Sequence, residues 1–153
     1  MNPPRISQDL LPPKCPPVPR ADASADAKPR ARWTVLVAED DADVRLMMRT
    51  LLEMKGYGVL EAGDGQETVA LAREARPDII LMDLQLPRLN GFAVVRSIRQ
   101  NEQLRSVPIL IVSGHDPARH RDLALAAGCN GYVQKPVDFD RLEELMRSLL
   151  PSA

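Results

Sequence analysis

The sequence predicts an α/β domain, a doubly wound (βα)5 arrangement around a parallel five-stranded sheet, preceded by a disordered Pro-rich tail. Three observations carry that prediction. From Trp33 onward, five short apolar runs alternate with five amphipathic stretches. Capping residues, glycines and prolines punctuate the joints between them. Eight of the 14 prolines crowd into residues 1–32.

The tail comes first. Its six bases (Arg5, Lys14, Arg20, Lys28, Arg30, Arg32) oppose three acids (Asp9, Asp22, Asp26), a net +3. The remainder carries 14 bases and 18 acids, a net -4, and the two sum to the chain's -1. Proline at this density removes backbone donors and blocks helices and ladders. With few apolar side chains the segment cannot offset its ordering entropy. Pro13-Lys14-Cys15-Pro16 and Pro16-Pro17-Val18-Pro19 fit a PxxP spacing, a match short enough to arise by chance.

Thr34-Val35-Leu36-Val37-Ala38 reads as the first buried strand. Asp41 caps a helix with Val44, Met48, Leu51 and Leu52 on one face, and Gly56 ends it. Tyr57 to Glu61 is the second strand. Asp64 with Glu67 three later resembles a capping box, opening a helix with Val69, Leu71 and Ala72. Pro77 stops that helix, and Asp78-Ile79-Ile80-Leu81-Met82 is the third strand. A loop through Pro87 and Gly91 leads to a helix with Val94, Val95 and Ile98. Pro108 precedes the fourth strand, Ile109-Leu110-Ile111-Val112. Asp116-Pro117 is a cap followed by proline at the first helical position, and Gly128 ends the helix. Gly131-Tyr132-Val133 is a short fifth strand. Asp138 or Asp140 opens the last helix, with Leu142, Leu145, Met146, Leu149 and Leu150 at helical spacing. Strands alternating with helices imply a parallel sheet covered on both faces.

Composition narrows the function. The 153 residues are enough for one domain. With 20 bases against 21 acids, the balance gives no sign of direct nucleic-acid binding. Cys15 and Cys129 are too few for a disulfide framework and lack zinc spacing. The apolar runs fall well short of the roughly 20 residues of a membrane helix. The N-terminus has no apolar signal-peptide core. The expectation is a soluble, cytoplasmic protein with no membrane contact.

In doubly wound sheets, ligands sit at the carboxyl ends of the strands. Glu39, Asp40 and Asp41 follow the first strand, Asp83 the third, Ser113 the fourth, and Lys135-Pro136 the fifth. Three carboxylates, Glu39, Asp40 and Asp83, then share one cleft, which is costly without a cation. All-oxygen ligands suit a hard cation, best Mg²⁺, and Mg²⁺ with Lys135 balances the three charges. Ala38-Glu39-Asp40-Asp41 stands where a phosphate-binding glycine loop would be, so no nucleotide is expected. Each feature has a plainer reading. Asp40, Asp41 and Asp43 could simply cap the first helix. Ser113 alone is a turn residue, Tyr132 alone a half-buried strand aromatic, and Cys129 a small buried hydrophobe.

Taken together, these segments resemble the response-regulator receiver domain of two-component signalling. The likeness runs from Trp33 to about Leu150. It rests on Val35 to Asp41, Ile79 to Pro87, Gly91, Ile109 to Gly114 and Gly131 to Pro136, in order and each at a predicted strand end. The resemblance implies a flavodoxin-like sheet of order 2-1-3-4-5. It implies Asp83 as phosphoacceptor, Glu39 and Asp40 as the acidic pair with Asp40 ahead as direct Mg²⁺ ligand, and the Gln85 backbone carbonyl as a further ligand. Ser113 matches the switch hydroxyl, Lys135 the family lysine and Tyr132 the switch aromatic. Gln85 and His115 flank the phosphoryl position and tune its hydrolysis. Lys135–Pro136 is the bond expected to be cis, as X–Pro bonds can be at low cost.

The resemblance also implies partners: a histidine kinase or histidine phosphotransfer protein as donor, and an output protein meeting the fourth helix, fifth strand and fifth helix. The sequence stops at Ala153, just past the fifth helix, so the expected output is a partner or a phosphorylation-dependent dimer of a monomeric chain. Leu123 and Leu125 place at least one exposed leucine on that face. Gly131 stands where DNA-binding members carry an acid, and Glu143 and Glu144 where a base would help, which argues against their dimer. A phosphate sink and a phosphorylation-independent interaction module are the other readings. An aspartyl-phosphate hydrolase of the haloacid-dehalogenase type is disfavoured, because Gln85 stands where its second Asp belongs and Asp83 is on the third strand.

Overall fold

The computed structural model describes residues 33–151. The expected tail, 1–32 with its PxxP matches and Cys15, lies outside the described residues. The elements run β1 Thr34–Ala38, α1 Ala42–Met54, β2 Gly58–Ala62, α2 Gly65–Ala75, β3 Ile79–Met82, α3 Gly91–Gln100, β4 Ile109–Ser113, α4 Pro117–Ala127, β5 Gly131–Gln134 and α5 Phe139–Leu149. The sheet order is β2-β1-β3-β4-β5, and every pairing is parallel. This is the doubly wound fold that the alternation predicts, in the flavodoxin-like order that the resemblance implies.

Alternate strand residues feed opposite cores, as the period of two requires. Leu36, Ile80, Met82, Ile109 and Ile111 meet Val69, Ala72, Val94, Val95 and Ile98 of α2 and α3 on one face. Val35, Val37, Ile79, Leu81, Leu110 and Val112 meet Met48, Leu52, Leu142 and Met146 of α1 and α5 on the other. Both faces of β1, β3 and β4 are therefore dry, which is why those runs carry no alternation of polar residues.

The caps act as the residues suggest. Asp41 accepts from the Asp43 and Val44 amides. Asp64 accepts from the Glu67 amide at 2.7 Å. Glu67 reaches back one residue further than a capping box requires, to the Gly63 amide at 2.7 Å. Asp138, not Asp140, caps α5. The second strand begins one residue later than the sequence suggests. The Tyr57 amide is still bonded to Leu52 O of the α1 terminus, and its ring is buried in the core. Strands β4 and β5 each run one residue further than the apolar pattern, because Ser113 pairs with Gln134.

At the amino ends of the strands, Arg99 stitches three segments together. Its Nε donates to Gly128 O at 2.9 Å and its Nη1 to Val107 O at 2.7 Å and Arg105 O at 3.0 Å. Its Nη2 donates to Asn130 Oδ1 at 2.9 Å. Gly128 has φ +116°, and a Cβ there would press on the Arg99 stem at 3.1 Å. Position 128 therefore needs glycine for both conformation and space. Removing the guanidinium strands several half-buried carbonyls. Arg99→Ala should lower unfolding stability by about 3 kcal/mol, read as a shifted urea midpoint at unchanged slope.

Candidate functional site

The carboxyl edge of the sheet gathers the residues that the sequence scatters over almost a hundred positions. Glu39 and Asp40 follow β1, because the ladder continues one step past Ala38 through Glu39 N–H to Ala62 O at 3.0 Å. Asp83 follows β3, with its own amide bonded to Ala38 O at 3.1 Å. Lys135 follows β5, with its amide on Ser113 O at 2.8 Å. Backbone ladders thus aim each side chain independently of its side-chain contacts.

The Lys135 Nζ donates to Glu39 Oε1 at 2.8 Å and to Asp83 Oδ2 at 2.9 Å. Glu39 is buried, with 4% of its surface exposed, while Asp40 is exposed. Oxygens of Glu39, Asp40 and Asp83 all lie within 4.8 Å of one another. Three carboxylates and one ammonium leave two negative charges uncompensated. An all-oxygen donor set with that excess fits a hard divalent cation such as Mg²⁺. Both oxygens of Glu39 already have partners, Oε1 with Lys135 and Oε2 with the Asp41 amide at 3.2 Å. Asp40 is the freer of the acidic pair.

Burial pushes the Glu39 carboxyl above its usual range, against the pull of the Lys135 hydrogen bond. Burial acts on Lys135 in the opposite direction, but its hydrogen bonds to Glu39 and Asp83 outweigh it, and the ammonium pKa ends raised. The signs follow from linkage. The Lys135 contribution to stability is complete below the ordinary lysine pKa and is lost as pH rises through the raised one. The cost of ionising buried Glu39 is relieved as pH falls through its own raised value.

Ser113, the last residue of β4, is fully buried. Its Oγ accepts from the His115 amide at 3.1 Å. The Tyr132 hydroxyl, from β5, donates to the His115 carbonyl at 2.9 Å. One residue in the β4–α4 loop is therefore held by both of the hydroxyls expected to form a switch. The His115 ring stacks on His120 at a centroid distance of 4.6 Å. Gln85 is exposed on the β3–α3 loop, and its backbone N–H donates to Asp83 Oδ1 at 3.0 Å. The Lys135–Pro136 bond is cis, as expected. Leu123 and Leu125 are both exposed on α4. Cys129 is buried, and burial pushes its thiol up to about 11, so it packs rather than reacts.

A family model of the response regulator receiver domain matches residues 35–147. The chain belongs to the response regulator receiver domain family. Receiver domains are signalling modules of two-component systems. This receiver is similar to the polar-differentiation response regulator DivK of Brucella anthropi, 33% identical over 120 residues, which cover 78% of this chain and 98% of that protein. Among solved structures it is similar to the chemotaxis response regulator CheY4 of Vibrio cholerae. There the TM-score is 0.72 at 31% identity, covering 77% of this chain and 98% of that one. It is also similar to the receiver domain of a sensor histidine kinase from Pseudomonas aeruginosa, which has a magnesium ion coordinated in its active-site cleft. That match has a TM-score of 0.73 at 32% identity and covers 78% of this chain and 98% of that one. No helix among the described residues of this receiver is long and apolar enough to cross a membrane.

The sequence reading missed Arg45 beside the site and, away from it, the pairing of Glu143. Arg45 donates from Nη1 to the Glu39 carbonyl at 2.6 Å and pairs with Glu61 at 3.2 Å. Helix geometry alone could have aimed Arg45 back toward the acidic turn, but its partner on β2 is a tertiary fact. Glu143 is buried between Lys55 at 3.2 Å and Arg147 at 3.0 Å. It faces α1 and is not a free acid on a dimer surface.

Two measurements follow from the electrostatics. A ¹³C titration of the Glu39 carboxyl should give a midpoint above the ordinary glutamate value, and Lys135→Met should raise it further. A midpoint at or below the ordinary value contradicts the burial argument. Asp40→Asn removes repulsion without removing a protein partner, so in chelator it should stabilise the fold by about 1 kcal/mol. Added Mg²⁺ should shrink or reverse that difference in urea denaturation.

Proposed function

We propose that this receiver accepts a phosphoryl group on Asp83 from a histidine kinase or histidine phosphotransfer protein, and passes the signal through α4, β5 and α5 to an output partner. The observation that carries this reading is the Lys135 ammonium lying 2.8 Å from Glu39 and 2.9 Å from Asp83, with Asp40 completing the acidic cluster. Asp40, Asp83 and the Gln85 carbonyl would hold Mg²⁺, with Glu39 completing the acidic set. Bound Mg²⁺ supplies charge neutralisation as an anionic nucleophile meets an anionic phosphoryl group.

The chain's own residues do the rest. An Asp83 oxygen bonds to phosphorus as the bond to the donor imidazole nitrogen breaks, and that nitrogen keeps the electron pair. A carboxylate is a weak nucleophile, so the rate comes from positioning and charge. Lys135 already holds Asp83 Oδ2 and is placed to follow the negative charge onto a phosphoryl oxygen. The Ser113 hydroxyl, engaged with the His115 amide, can donate to the phosphoryl group only by moving inward. That movement frees His115 and with it the Tyr132 hydroxyl. Tyr132 rotation and α4 rearrangement make a two-state element that one modification biases. Gln85 and His115, on loops beside the site, govern water access and so the lifetime of the acyl phosphate. Slow self-dephosphorylation is the only turnover expected, and the cytoplasm is where the donor kinases act.

The test is intact mass after incubation with acetyl phosphate and Mg²⁺. Wild type should gain one phosphoryl group; Asp83→Asn and a chelator control should gain none. Tyr132→Phe should still be phosphorylated but should lose the phosphorylation-dependent shift of α4 amide signals. No gain in wild type, together with no spectral response to beryllofluoride, would point instead to a phosphorylation-independent interaction module.

A further inference from the structure

We infer that Arg45 is a positioning residue for the metal-binding turn, fixing the peptide from which Asp40 hangs. The inference rests on the magnesium reading above and extends it to a residue on α1. Every polar atom of Glu39 is held. Its amide donates to Ala62 O at 3.0 Å, its Oε1 faces Lys135 and its Oε2 faces the Asp41 amide. Its carbonyl accepts from Arg45 Nη1 at 2.6 Å. That carbonyl belongs to the peptide plane shared with the Asp40 amide, and a planar peptide turns as a unit. Rotation of the plane would swing the Asp40 Cα and its carboxylate. Asp40 is exposed, so the backbone that fixes its Cα–Cβ bond is what limits where its carboxylate can reach.

Arg45 is itself held. Its Nε pairs with Glu61 Oε1 at 3.2 Å, while Arg49 takes Glu61 Oε2 at 2.7 Å. Glu61 sits on β2, opposite Val37 in the register. The fork of the guanidinium therefore ties the acidic turn to the edge strand, with one arm on each. Its charge is matched by Glu61, so it orients the turn without adding an unpaired positive charge beside the carboxylates. Lysine has a single donor head and no fork to span both partners. Partners of this outer kind typically change metal affinity by about 10–100-fold when removed.

The experiment is an amide-shift titration of the full chain with Mg²⁺, following Asp40, Asp83 and Gln85. Arg45→Ala should weaken Mg²⁺ binding at least about 10-fold. Arg45→Lys should weaken it less, and provides the reading if Arg45→Ala fails to fold. Arg49→Ala removes the other Glu61 pair without touching the Glu39 carbonyl, and should bind as wild type does. Equal binding by wild type and the Arg45 variants overturns the inference alone. An equal loss in Arg49→Ala also overturns it, because the effect would then belong to the general α1–β2 pairing. Absence of binding by wild type overturns the magnesium reading and this inference with it.

Discussion

The edge of this sheet is organised by the attraction of one ammonium for two carboxylates. Glu39 and Asp83 come from strands that are neighbours in the sheet, and Lys135 comes from the far edge strand. Their contacts at 2.8 and 2.9 Å tie the ends of β1, β3 and β5 together. Without Lys135 the convergence of Glu39, Asp40 and Asp83 would be a charge defect placed over a dry core. With it, the edge remains two negative charges out of balance, and that remaining repulsion is what a divalent cation can relieve. Stability has been given up at this edge in return for chemical potential, as at many functional sites.

The rest of the fold makes that tolerable. The central strands are buried on both faces and are rich in Ile, Leu and Val. At the opposite edge Arg99 gathers carbonyls from the α3–β4 and α4–β5 segments. One end of the sheet is thus satisfied and fixed, and the other is charged and underpaired. Helix α4 starts at the charged end, and only its C-cap Gly128 is held by Arg99 at the other. Ala124 is its only fully buried residue, so few apolar contacts resist its movement. Leu123 and Leu125 on its outer side are left to solvent.

Much of this was legible in the residues. Strand runs such as Ile79 to Met82 read as strands because they are short, apolar and bounded by Pro77 and an acid. Asp41, Asp64 and Asp116 announce their helices because a short side-chain oxygen suits an orphan amide. Asp83 and Lys135 could be paired from sequence only through the rule that doubly wound sheets collect strand ends on one edge. Arg45 and Glu143 could not be read in the same way. A charged residue on a helix looks like a solvated face until a partner from another element is known. The Arg45–Glu61 contact joins α1 to β2, and the Glu143–Lys55 contact joins α5 to α1. Strand limits slipped by one residue for a related reason. Ser113 and Gln134 are polar, and only their cross-strand pairing makes them part of the ladder.

His115 shows why two unremarkable hydroxyls can be coupled. Its amide is held by Ser113 and its carbonyl by Tyr132, so the loop's position satisfies both at once. Neither hydroxyl can change partner without altering the groups available to the other. Ser113 is fully buried and cannot replace a lost partner with bulk water. Tyr132 is half-buried against the core that includes Ala124 of α4, so a rotation of its ring would change packing beneath that helix. Under the switch proposed above, a local exchange of hydrogen bonds at the sheet edge would become a change of surface on α4. The conversion needs no long chain of contacts, because Ser113, His115 and Tyr132 are consecutive links and α4 begins two residues beyond His115.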